Sequence, residues 1–246
     1  MNKIIIEACV ASVESAVAAA RGGADRLELN AALELDGLTP SFGLFKEVRA
    51  ACDLPIIVMI RPRGQGFAYS PHEYAIMLED IKQFKRAGAD GFALGFLTDN
   101  FEIDAEKTSE AVKLAGPCEV VFHRAFDVTQ DATTALESLI DCGVHRVLTS
   151  GQQSSAPEGI SELKALQTQS DGSIEILPGA GIKPSNVVQV LQDTGCSQVH
   201  GTFRKSVNSV SVAGGLASLK ALPPAGTDAG IVSKVRTLCD AAFGNF

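Results

Sequence analysis

Short apolar runs and longer amphipathic patterns alternate along the whole chain. That alternation constrains the fold more than any other feature of the sequence. Runs at 4–9, 26–30, 56–60, 91–95, 119–123, 146–149, 175–177 and 198–200 read as strands. Helical patterns follow each of them, near 12–21, 41–51, 71–87, 104–115, 131–142, 157–168, 184–194 and 229–242. Strand and helix in strict turn predict a parallel sheet covered by helices. Ser70-Pro71-His72-Glu73 is a capping box with proline in the first turn, and Ser155-Ala156-Pro157-Glu158 carries the same chemistry. Helix ends carry glycine, as a left-handed cap requires.

Those glycines expose a weak internal repeat. Gly23-Ala24-Asp25-Arg26-Leu27-Glu28-Leu29 resembles Gly88-Ala89-Asp90-Gly91-Phe92-Ala93-Leu94. The segments beginning at Gly143 and Gly195 have the same shape, and the successive spacings are 65, 55 and 52 residues. Each step holds two βα units, so four steps give eight units and a closed (β/α)₈ barrel of the TIM type. The expectation is one such domain over residues 1–246. An open doubly wound sheet would want a GxGxxG turn after the first strand, and there is none. Ser, Gly, Ala and Pro dominate 206–230, which reads as a long irregular loop after the eighth strand.

Composition narrows the function classes. A chain of 246 residues, 46% hydrophobic and 20% charged, buries a large core and is not disordered. A net charge of −8 gives no electrostatic footprint for nucleic acid or an anionic membrane. Six cysteines without a CxxC pair read as reduced thiols of a cytoplasmic protein. Glu7 and Glu14 interrupt the apolar N-terminal run, so a signal peptide is not expected, and no uncharged stretch of ~18 residues predicts a membrane span. An acidic chain with a mean hydropathy of +0.15 is compatible with a homo-oligomer.

In a barrel, the C-terminal ends of the strands carry function. Strand parity places Glu7 and Cys9 on one face of the first strand, and sends Glu28, Arg61 and His123 into the barrel as well. Glu7 and Glu28 near Arg61 read either as a structural ion network or as part of a site. In an enzyme, Glu7, Glu28, Arg61, His123, Arg124 and Asp127 are the catalytic candidates, with His123 a general acid or base oriented by Asp127 or Glu28. Gly179 and Gly181 after the seventh strand, Gly201 after the eighth and a helix start at Pro184-Ser185 can cradle an anion. Arg63, Ser150 and His200 join that anion-binding set. The substrate class is then a small anionic or phosphorylated metabolite. A hard divalent ion on Glu7, Glu28, His123 and His200 is a variant of the same reading. No strand ends in lysine, which argues against a Schiff-base aldolase. Only Cys9 among the cysteines falls at the functional end.

Five segments in order carry a family resemblance: Gly37-Leu38-Thr39-Pro40-Ser41, Ile60-Arg61-Pro62-Arg63-Gly64, Phe122-His123-Arg124-Ala125-Phe126-Asp127, Arg146-Val147-Leu148-Thr149-Ser150-Gly151 and Pro178-Gly179-Ala180-Gly181. From about residue 4 to 205 the chain resembles the CutC copper homeostasis proteins. The resemblance implies a TIM-type barrel, a cytoplasmic location and a role in copper tolerance or trafficking through Cu(I) binding, with a copper ion as partner. It makes Cys9 the candidate Cu(I) ligand. Where such proteins carry a second cysteine, closing the second strand, this chain has Asn30. Beyond Lys205 the chain departs from the family and is shorter.

Overall fold

The structure is a computed structural model that describes residues 3–205 and 226–244. Eight parallel strands and eight α-helices alternate: β1 (Ile5–Val10), α1 (Val13–Arg21), β2 (Arg26–Leu29), α2 (Phe42–Ala51), β3 (Ile56–Met59), α3 (Pro71–Arg86), β4 (Gly91–Leu94) and α4 (Ala105–Ala115) in the first half. The second half holds β5 (Glu119–Phe122), α5 (Ala132–Asp141), β6 (Arg146–Thr149), α6 (Ile160–Ser170), β7 (Glu175–Pro178), α7 (Val187–Thr194), β8 (Gln198–Gly201) and α8 (Ala229–Phe243). Hydrogen-bonded neighbours run β7-β6-β5-β4-β3-β2-β1-β8. The strands β7 and β8 pack side by side without a ladder between them, so the TIM-type barrel is nearly closed.

The sequence pattern anticipates every one of these elements to within a few residues. Two short 3₁₀ helices, Leu33–Leu35 and Arg124–Val128, were not anticipated. The capping box opens α3 as expected: Glu73 N–H donates to Ser70 Oγ, and Ser70 N–H to the Glu73 carboxylate. The second expected box does not form. The N–H groups of Glu158 and Gly159 turn back to the Ser155 carbonyl, and α6 begins only at Ile160. The cause is a close approach: a Cβ at Gly159 would lie 1.9 Å from the Ser150 carbonyl oxygen, so the chain must pass that point before it can coil. The helix expected from 184 also starts later, at Val187. Most of the loop expected near 206–230 lies outside the described residues. Of its described end, Thr227 bridges Arg204, and Ala229 and Gly230 already belong to α8.

The internal repeat has a physical cause. Asp25 accepts the N–H of Ile6 through Oδ2 at 2.8 Å, and Asp90 accepts that of Ile56 at 2.8 Å. His145 accepts that of Val120 through Nδ1 at 3.1 Å. Each side chain stands two residues after a left-handed glycine and satisfies the first free donor of the preceding odd-numbered strand. Arginines then brace the acids, Arg236 on Asp25 and Arg49 on Asp90.

Two apolar cores result. The larger fills the space between strands and helices, from Ile6, Leu27, Phe45 and Phe92 to Val235. The smaller lies inside the barrel and comes only from strands β3 to β7: Ile57, Met59, Ala93, Val121, Leu148 and Leu177. Interior positions of β1, β2 and β8 are polar instead: Glu7, Arg26, Glu28, Gln198 and His200, all buried. Among the described residues, no helix is long and apolar enough to cross a membrane.

Removing one strand-edge acceptor leaves a backbone donor unpaired. Asp90→Ala is expected to lower stability by about 1–3 kcal/mol in urea unfolding. An unchanged midpoint would count against the role assigned to the repeat.

Candidate functional site

The polar half of the barrel is organised around one buried ion pair. Glu7 Oε2 accepts from Arg26 Nε, and Arg26 Nη2 donates to Gln198 Oε1 at 3.0 Å. The register puts Glu7 beside Arg26 on one side and His200 on the other. Glu7 is 1% exposed. Burial alone would raise its pKa, but the Arg26 charge and the hydrogen bond from His200 outweigh it and hold the carboxyl well below the usual carboxylate range. Below this layer Arg146 pairs with Glu119 at 3.1 Å and Glu175 at 2.7 Å, and Gln198 Nε2 donates to Glu175 at 3.1 Å.

The Glu7 carboxylate also aims His200. Its Oε1 lies 2.8 Å from His200 Nδ1, so that nitrogen carries the hydrogen and Nε2 is left toward Glu28, 4.0 Å away. Burial would depress the His200 pKa, yet the charge of Glu28 and the bond to Glu7 raise it. Burial, with Glu7 adding to it, raises Glu28 in spite of His200. Cys9 stands beside Glu28 in the β1–β2 register, and burial, then Glu28, push its thiol well above the usual range. Ligating atoms of Cys9, Glu28 and His200 all fall within 4.8 Å of one another. Glu28 Oε1 is buried there without a hydrogen-bond partner. Asn30 completes the corner: its Nδ2 donates to Glu28 Oε2 at 2.7 Å and lies 3.4 Å from Cys9 Sγ.

This corner opens into a cavity of about 1080 Å³ at the C-terminal ends of the strands. Of the residues expected at the site, Cys9, Glu28, Arg61, His123, Arg124, Asp127, Gly181, His200 and Gly201 line it. Glu7, Arg63, Ser150 and Gly179 do not. Glu7 lies beneath, as the support of His200. Arg63 is pinned to Glu73 at 2.5 Å and to the carbonyls of a neighbouring turn. Gly179 packs against Leu148 and His200, where a Cβ would meet Leu148 at 2.5 Å. Ser150 is buried, with its hydroxyl on Asp127 and the Gln153 carbonyl.

Several expected partnerships are replaced by others. Arg61 pairs with neither Glu7 nor Glu28. Its Nη1 donates to the carbonyls of Leu35, Asp36 and Gly37 at 3.0–3.3 Å, and its guanidinium lies 5.0 Å from the Phe67 ring centre. Asp127 does not orient His123 but accepts from Ser150 and pairs with Arg124 at 2.7 Å. No carboxylate touches His123 among the described residues: its Nδ1 accepts the Ala125 N–H at 3.2 Å, and Nε2 is buried without a partner. Burial, then the Arg61 charge, push its pKa down to about 3, so it is a neutral imidazole rather than an acid. The divalent-ion quartet accordingly reduces to Glu28 and His200, joined by Cys9.

Other contributors were missed. Arg26 alternates with Glu28 along β2, so the parity that found Glu28 also points to it. Lys183, Arg204 and Lys234 line the cavity from loops and from α8 rather than from strands, where a search of strand ends does not look. The remaining five cysteines are buried and free, and burial pushes Cys196 and Cys239 up to about 11.

Comparison with known proteins bears directly on this arrangement. The model of the CutC family matches residues 4–205. The chain belongs to the CutC family. It is 44% identical over 208 residues to the human copper homeostasis protein cutC homolog, covering 85% of this chain and 76% of that protein. A CutC family protein of Bacteroides thetaiotaomicron is 45% identical over 213 residues, covering 85% and 84%. The crystal structure of the CutC copper homeostasis protein of Streptococcus agalactiae superposes with a TM-score of 0.77 at 33% identity, over 81% of this chain and 98% of that one. In this CutC protein the matched segment contains all eight strands and ends at Lys205.

Two outcomes follow. Glu7→Gln leaves the Arg26 charge buried and uncompensated, at a cost of about 3–5 kcal/mol in chemical unfolding. His123 is expected to keep a neutral Nε2–H tautomer from pH 8 to 5 in nitrogen-detected NMR. Its folded pKa lies below the ordinary 6.5, so the unfolded chain takes the proton first and stability falls as pH drops from 6.5 toward 3. A titration of His123 near pH 6.5 would contradict the burial described.

Proposed function

We propose that this CutC protein handles copper by holding Cu(I) between the Cys9 thiolate and His200 Nε2 at the barrel mouth, with Glu28 beside them. The observation that carries this reading is the convergence of three buried ligating groups within 4.8 Å, one of them a cysteine, around a carboxylate oxygen with no partner. Cu(I) is soft and favours thiolate and imidazole at low coordination number. Glu7 supports the choice of nitrogen, since its bond to His200 Nδ1 leaves Nε2 for the ion. Met59, whose thioether is a second soft group, lines the same cavity.

The ion enters as cargo and must displace the Cys9 proton, which burial and Glu28 hold tightly. That makes the site reluctant to retain copper compared with a two-thiolate site, which suits transfer more than storage. Six buried, unpaired cysteines support placing the protein in the reducing cytoplasm. Asn30 stands where the family resemblance calls for a second cysteine and donates instead to Glu28.

An anaerobic Cu(I) competition titration tests the proposal. The wild type is expected to bind one ion, Cys9→Ala to lose binding by roughly a hundredfold or more, and Asn30→Cys to bind at least about tenfold tighter through a second thiolate. Equal affinity in wild type and Cys9→Ala would remove the proposed site.

A further inference from the structure

The cavity is far larger than a metal ion requires. At about 1080 Å³ it has the capacity of a pocket for a small organic ligand. Its charge also runs against that of the chain. The whole protein carries −8, yet the cavity is lined by five cationic side chains against three carboxylates, Glu28, Asp36 and Asp127. Asp127 is already spent on Arg124 and Ser150. Lys183, Arg204 and Lys234 form no ion pair among the described residues.

The loop after β7 adds donors to these charges. Its carbonyls are tied back: that of Ala180 accepts the Ala156 N–H, and that of Gly181 accepts Asn186 Nδ2. Lys183 N–H is likewise held by Asn186 Oδ1 at 2.8 Å. The N–H groups of Ala180, Gly181 and Ile182 have no hydrogen-bond partner among the described residues. Ala180 and Gly181 are consecutive left-handed residues, at φ 67° and 78°. An alanine held there is strained unless its surroundings fix it, and residues of this kind concentrate at ligand sites. Phe203, on the loop after β8, is another non-glycine residue with positive φ, at 46°, that lines the same cavity, as does Asp36 at 64°.

We infer that this loop, with Lys183, Arg204 and Lys234, binds the phosphate group of a small organic phosphate, whose carbon skeleton extends across the cavity toward Glu28 and His200. A phosphate monoester carries close to two negative charges and three terminal oxygens at neutral pH. Three cations and three unclaimed amides match that demand better than they match a carboxylate, which has one charge and two oxygens. Met59, Phe67 and Leu148 supply apolar lining in the same cavity for the skeleton. The inference stands apart from the copper reading: it rests on the loops after β7 and β8 and does not need an ion at Cys9.

The test is a titration of the metal-free full chain with glycerol 3-phosphate, with inorganic phosphate and with glycerol. It is followed by amide NMR and by calorimetry. Saturable binding of glycerol 3-phosphate is expected, with the largest shifts at the amides of residues 180–182. Inorganic phosphate should shift the same amides more weakly, and glycerol should leave them in place. The exposed pair Lys183→Met and Lys234→Met, combined, should weaken glycerol 3-phosphate by roughly tenfold or more with an unchanged thermal unfolding midpoint. Absence of saturation by either phosphate up to about 10 mM overturns the inference. So does equal binding of glycerol, or an affinity unchanged in the double variant. Copper titration of the same double variant separates the two proposals: its Cu(I) affinity is expected to stay at the wild-type value while its affinity for glycerol 3-phosphate falls.

Discussion

The corner of Cys9, Glu28 and His200 at the barrel mouth rests on the salt bridge between Glu7 and Arg26. Two charges inside a barrel are tolerable only when each is matched and hydrogen-bonded. Here Arg26 is matched by Glu7 and Gln198, and the second oxygen of Glu7 is spent on His200. That one carboxylate therefore neutralises a buried cation below and fixes an imidazole above. Without it His200 would have no preferred ring orientation, and Cys9 and Glu28 would face a nitrogen of undetermined protonation.

The division of the interior into an apolar arc from β3 to β7 and a polar arc from β1, β2 and β8 follows from the same arrangement. The apolar arc is buried and needs no hydrogen-bond partners. The polar arc needs a chain of them: Gln198, Arg26 and Glu7 bond in turn, and at the base of the barrel Glu119, Arg146 and Glu175 of β5 to β7 extend that chain. Chemistry is thus confined to one side of the mouth. His123 illustrates the other side: it stands at a strand end among Phe67, Phe122 and Arg61, and burial removes its charge.

The fold was legible because most helices begin and end with local chemistry, a cap before and a glycine after; α6 and α7 lack the side-chain cap and α2 the glycine. The internal repeat marks the points where a side chain closes a strand edge. The cluster of Cys9, Glu28 and His200 was legible in part, since period-two parity selects the inward face without naming partners. Arg61 and Asp127 show why parity stops there. Arg61 stands just past β3 and Asp127 in the 3₁₀ turn after β5, but their hydrogen bonds go to loop backbone at 35–37 and 150–152, which no strand pattern encodes. The late start of α6 was hidden for a related reason: the contact between Gly159 and Ser150 is set by how two loops cross.

The missing ladder between β7 and β8 has a mechanical consequence. Seven of the eight strand junctions are stitched by backbone hydrogen bonds, and at the eighth the strands are joined by packing and by the Gln198–Glu175 side-chain bond. Local opening is easiest where the fewest backbone bonds must break. The two strands at that seam carry the loops bearing Gly181, Lys183, Thr202 and Arg204. The barrel can therefore widen at its mouth as a split ring does, by parting at its one unwelded joint while the rest of the hoop keeps its shape.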